Sequence, residues 1–171
     1  MVMGMTASAP TTPSTHPTQI AQDLPRLIER MHRRYLDVVR IELARNGFND
    51  ISPVQAMMLG MIGGEEISVR DLIERGYYLG SNASYNLKSL VDGNYIERQA
   101  STRDRRSARL KVSSKGREIL DALSKLNLQM ADSLIRDSGS DLEATHHTLR
   151  RIERRWTDAI RSEGPNNAVE F

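Results

Sequence analysis

Between Ser101 and Lys111 the chain reads STRDRRSARLK, which places Arg103, Arg105, Arg106, Arg109 and Lys111 around a single acid, Asp104. Guanidinium groups clustered in this way suit phosphate oxygens or a narrow, electronegative groove, where binding comes from counterion release and from the local potential. A second set lies upstream: Ser81, Asn82, Ser84, Tyr85 and Lys88. Amides, hydroxyls and one ammonium can donate to and accept from base edges, and none of them needs to make or break a covalent bond. Groups that could do covalent chemistry are scattered. Glu65 and Glu66 are adjacent carboxylates with no nucleophile, base or glycine-rich cradle beside them, so no catalytic site assembles. His146 and His147 are neighbours and point to different sectors of a helix, while His16 and His32 stand alone, so no metal site and no cofactor is expected.

The formal net charge of the 171 residues is only +2, but its distribution is uneven. From Ser68 to Arg117 eleven basic residues face five acidic ones, an excess of +6 that leaves −4 for the rest. A basic middle between acidic flanks suits a module that meets a polyanion while the remainder does something else. The chain contains no cysteine, which excludes disulfide frameworks, thiolate zinc sites and cysteine redox switches. Its N-terminus, MVMGMTASAPTTPSTHPTQ, has neither a basic start nor an apolar core, and no apolar run reaches membrane-spanning length. A cytoplasmic protein with no membrane partner is expected.

The elements that must position the two polar sets follow from periodicity. Residues 1–18, rich in Pro, Thr and Ser, read as a disordered tail. Within 19–50, Leu24, Leu27, Ile28, Met31, Tyr35, Val38 and Val39 recur at helical spacing until Asn46-Gly47. The segment 51–113 holds three short helices and a hairpin. Ser52, Pro53 and Gln55 give a capping box for the first and Ser68 with Asp71 a cap for the second, while Ser81 is placed to cap the third. In that third helix Ala83, Leu87 and Leu90 face inward and turn Asn82, Ser84, Tyr85 and Lys88 outward. Asn94 tolerates a left-handed backbone and leads into the strand YIERQ, which pairs with ARLKV across the basic loop. Residues 114–163 form two more helices. The first is striped by Ile119, Leu120, Leu123, Leu126, Met130 and Leu134 and stops at Gly139; the second, capped by Ser140 and Glu143, is striped by Leu149, Ile152, Trp156 and Ile160. The last residues, 164–171, are a frayed tail.

Three short helices followed by a basic hairpin describe a winged helix-turn-helix. At that hairpin the chain resembles the MarR family of bacterial transcription regulators: Asp104-Arg105-Arg106 matches the family's Asp-x-Arg wing signature, and LKVSSKG stands where the family has a strand, Leu-Thr-x-x-Gly and the next helix. The family's glycine after the recognition helix is Asn94 here, preceded by Gly93, and its threonine after the wing is Ser113. The resemblance implies that Asp104 braces the wing through Arg106, that Arg103 or Arg105 reaches DNA, and that the first and last two helices build a dimer interface. It also implies a crevice for a small, often aromatic effector, for which Tyr35, Val38 and Met61 are candidates by position.

The expected protein is therefore mainly α with a small β-wing, a winged helix-turn-helix flanked by long dimerisation helices. As a homodimer it would bind double-stranded DNA at a pseudo-palindromic operator and regulate transcription. The competing reading is a winged-helix scaffold that binds a protein and not DNA. Apart from it, the charged wing can be ordinary solvated surface, and Met57, Met58 and Met61 read as core filler before a ligand pocket.

Overall fold

The computed structural model describes residues 16–64, 66–76, 80–100, 108–139 and 141–162. Helix α1 spans Pro17–Arg45, α2 Pro53–Ile62, α3 Val69–Gly76, α4 Gly80–Asp92, α5 Ser114–Ser138 and α6 Asp141–Ser162. Strands β1 (Ile67–Ser68), β2 (Ile96–Ala100) and β3 (Ala108–Val112) form one antiparallel sheet in the order β1-β3-β2. The wing hairpin is present in the expected register, with Ile96 opposite Val112 and Ala100 opposite Ala108. Strand β1 pairs Ile67 with Leu110 and Ser68 with Arg109, and at two residues it is too short to carry a periodicity in the sequence.

Local chemistry sets most of the boundaries. Ser52 and Gln55 complete a reciprocal capping box, and Pro53 occupies the first turn of α2, where its missing N–H costs nothing. The Ser68 hydroxyl accepts from the Asp71 N–H at 3.0 Å, joining β1 directly to α3. Gly139, at φ 47°, ends α5 with its N–H on the Ile135 carbonyl. Two expected boundaries shift. Helix α1 begins at Pro17, with the His16 ring accepting from the Thr18 N–H, so the tail expected through residue 18 gives its end to the first turn. Helix α4 begins at Gly80, one residue before the serine expected to cap it, so Ser81 lies inside the first turn. The anticipated cap of α6, Ser140, lies outside the described residues.

One core serves the middle of the chain. Val39 and Leu43 from the last third of α1 meet Met58, Leu59 and Ile62 of α2, Leu72 of α3, Leu87 and Leu90 of α4, Leu110 and Val112 of the wing, and Ile119, Leu123 and Leu126 of α5. The earlier part of α1 and the whole of α6 contribute no buried residue. Pro25 sits in that exposed part of α1, where the helix gives up a backbone hydrogen bond.

Candidate nucleic-acid interface

Helix α4 divides cleanly. Ala83, Leu87 and Leu90 are buried, and three-residue and four-residue steps put Asn82, Ser84, Tyr85 and Lys88 on the exposed side, with Tyr85 70% exposed. Ala83, Leu87 and Leu90 are inside and Val91 is half-buried, so Tyr85 is the large apolar side chain that α4 leaves open to a partner among its described residues. The Asn86 amide donates to the Asn82 carbonyl at 2.9 Å and leaves the Asn82 side chain pointing outward. Lys88 Nζ reaches Asp92 Oδ2 at 2.7 Å, one turn further along. That hydrogen bond raises the lysine above its ordinary value of 10.5, so it is fully charged at neutral pH. Both side chains are more than half exposed, and an exposed pair of this kind is readily exchanged for a phosphate contact.

The wing stem packs beside this face. Leu110 and Val112 are buried and anchor β3, while Arg109 and Lys111 face solvent as strand alternation requires. Glu97 stands opposite Lys111 across the hairpin. Arg98, opposite Leu110, lines a cleft of about 460 Å³ together with Val69, Ser84, Leu87, Lys88 and Asp92. Composition gives Arg98 only as charge; its place in one cleft with Lys88 follows from the packing of α4 against the hairpin, which no local pattern reveals. The structure thus brings Ser84, Lys88 and Arg98 to one cleft with Asn82 and Tyr85 on the adjoining surface. The wing tip, with Arg103, Asp104, Arg105 and Arg106, and the Ser81 side chain lie outside what the structure describes.

A polar clasp holds the base of this surface. Tyr95, buried in the turn between α4 and β2, donates its hydroxyl to Asp50 Oδ1 at 2.5 Å. Lys115, in the first turn of α5, donates to Asp50 Oδ2 at 2.8 Å and to the Gly93 carbonyl at 3.1 Å, and its ammonium lies 4.1 Å from the centre of the Tyr95 ring. The Lys115 and Tyr95 hydrogen bonds hold the Asp50 carboxyl below its usual range. Burial, and then the Asp50 carboxylate, push the Tyr95 phenol up, and the Asp50 hydrogen bond raises Lys115. These partners lie 45 and 65 residues apart in sequence, beyond any local pattern. The backbones close in equally tightly: a Cβ on Gly116 would stand 2.3 Å from the Tyr95 carbonyl oxygen. Asn94, at φ 59°, takes the left-handed conformation that lets this turn form.

The candidate effector residues divide. Tyr35 lines a cavity of about 470 Å³ with Met57, Gly60, Leu120, Leu123 and Asn127, and its hydroxyl donates to Asn127 Oδ1 at 2.9 Å. Val38 and Met61 do not line it; both are half-buried against the main core. Met57, expected as core filler, lines the cavity instead.

A capped three-helix reader, a basic wing and an outward polar ridge define a winged helix-turn-helix protein. The MarR family profile matches residues 49–107, the reader and most of the wing. The exopolysaccharide II synthesis transcriptional activator ExpG of Rhizobium meliloti (strain 1021) is 45% identical over 141 residues, covering 81% of this chain and 73% of that protein. Among solved structures, Streptococcus pneumoniae FabT in complex with DNA superposes with a TM-score of 0.70 at 20% identity, over 81% of this chain and 99% of that one. A MarR transcriptional regulator from Methanosarcina mazei Go1 gives 0.69 at 18% identity, over 81% and 99%. The chain belongs to the MarR family. It is a transcriptional regulator and not an enzyme.

Proposed function

We propose that the chain is a homodimeric, sequence-specific DNA-binding regulator that acts in the cytoplasm. Each protomer lays the outward face of α4 in a major groove and its wing along the adjoining groove, where Arg103, Arg105 and Arg106 meet phosphates or enter the minor groove. The observation that carries this reading is the α4 surface itself: a hydrogen-bonding ridge of Asn82, Ser84, Tyr85 and Lys88, exposed along its length and flanked by Arg98. The DNA complex of the similarly folded FabT supports it. Two-fold symmetry then calls for a pseudo-palindromic operator with half-sites about one helical turn apart.

The second copy is supported by apolar surface that one chain cannot cover. Between α1 and α6 an open groove of about 470 Å³ is lined by Ile28, Met31, Leu149, Ile152, Trp156 and Ile160, and α6 has no buried residue of its own. The cavity at Tyr35, between α1, α2 and α5, is the site we assign to a small aromatic effector, with the Tyr35–Asn127 pair as its polar end. A thermal shift with a panel of small aromatic carboxylates, abolished by Leu123→Trp, tests that assignment.

Binding to random duplex at low salt tests the reading as a whole. A DNA-binding module binds it, and its affinity falls steeply with salt, reaching Kd values on the order of 10⁻⁴ to 10⁻⁶ M near physiological ionic strength. A protein-binding scaffold leaves random duplex unbound at every salt concentration.

A further inference from the structure

The chain enters the reader once, through the loop between α1 and α2, and leaves it once, from β3 into α5. Both crossings pass through the clasp. Asp50 lies on the entry loop and Lys115 on the exit helix, and between them sit Tyr95 and Gly93, in the turn that ends α4. The exit is pinned a second time: the Ser113 N–H donates to the Tyr95 carbonyl at 3.0 Å and the Ser113 hydroxyl to the Asn94 carbonyl at 2.7 Å. The end helices share the reader's core through Val39 and Leu43 of α1 and Ile119 and Leu123 of α5, so a tilt of the recognition helix against them is felt where entry loop and exit helix meet. A tilt that opens the angle at this point pulls Lys115 off Asp50 or off the Gly93 carbonyl at the α4 terminus.

The geometry points to Asp50, Tyr95 and Lys115 as positioning residues that fix the angle of the recognition helix relative to the end helices, and so set the half-site spacing the dimer accepts. This rests on the two-reader proposal above. The three residues act through the end of α4, which Lys115 holds at the Gly93 carbonyl. The Asp50–Lys115 pair is itself exposed; what sets it apart from ordinary surface pairing is that one ammonium engages a carboxylate, a ring face and a backbone carbonyl drawn from two other segments.

The test uses full-length protein and a duplex selected from a random pool by the wild-type chain, rebuilt with one or two base pairs added to or removed from its centre. Wild type should lose affinity by about tenfold for each base pair off the optimum, because both readers must stay in register with the helix. Lys115→Met, and the milder Tyr95→Phe that keeps the ring and removes only the hydroxyl, should flatten that profile to about threefold or less while keeping affinity for an isolated half-site. A purely structural clasp would lower the melting temperature and leave the spacing profile as sharp as wild type, which overturns the inference alone. A wild-type profile that is already flat overturns the two-reader reading and the inference with it.

Discussion

Helices α4 and α6 are both amphipathic, and they resolve their apolar stripes in opposite ways. In α4 the stripe of Ala83, Leu87 and Leu90 is fully packed and the exposed side is polar. In α6 the stripe itself is exposed, with Trp156 45% and Ile160 69% open to solvent, and the first half of α1 behaves alike at Ile20, Leu27 and Met31. The described part of the reader thus buries its own apolar stripes, whereas α6 and the first half of α1 leave theirs in water, the surface we propose a second copy covers.

Breaking the exposed side should give the largest effect. Trp156→Asp with Ile160→Asp puts two charges into the groove assigned to the second copy; sedimentation should show a monomer, and affinity for a two-half-site duplex should fall by more than about a hundredfold through lost avidity. Next comes the packed side. Gly116→Val forces a side chain against the Tyr95 carbonyl oxygen and the Val112 methyl group, so chemical denaturation should reveal a loss of about 2–3 kcal/mol with the dimer retained if the protein still folds. Replacing Arg103, Arg105 and Arg106 together with alanine should cost about tenfold to a hundredfold in DNA affinity and reduce the salt slope by up to about three, as electrophoretic shifts at several salt concentrations will show. Lys88→Ala should cost about three- to tenfold; an accompanying drop in salt slope marks a phosphate contact and relaxed sequence preference marks a base contact.

The smallest effect concerns acid. The Asp50 carboxyl is held below its ordinary value of 3.8 in the folded chain by Lys115 and Tyr95. Its contribution to stability is therefore present above that value and is lost as the pH falls through the lower, folded one. Denaturation curves of Asp50→Asn and wild type should differ at neutral pH and converge in strong acid.

Much of this arrangement is legible in the sequence because it is written locally. The capping box at Ser52 and Gln55, the Ser68–Asp71 cap, the stop at Gly139 and the β3 alternation all depend on residues within a few positions of one another, and all stand where their patterns place them. The polar ridge of α4 is legible for the same reason: helical spacing alone puts Leu87 inside and Tyr85 outside. What escapes the sequence is long-range. The β1 pairing with β3, the arrival of Arg98 beside Lys88, the union of Asp50, Tyr95 and Lys115, and the choice of Met57 over Met61 as a cavity wall all depend on how separate segments dock. No periodicity in either segment carries that information.

The central claim is that the α4 ridge reads the major groove, in duplicate. Guanine N7 methylation interference on a duplex selected by the wild-type chain tests it most directly, because N7 lies on the major-groove edge. Two clusters of interference about one helical turn apart, both lost in the Asn82→Ala, Tyr85→Ala double variant, are the expected result. A single cluster, or a pattern that the double variant leaves unchanged, would contradict it.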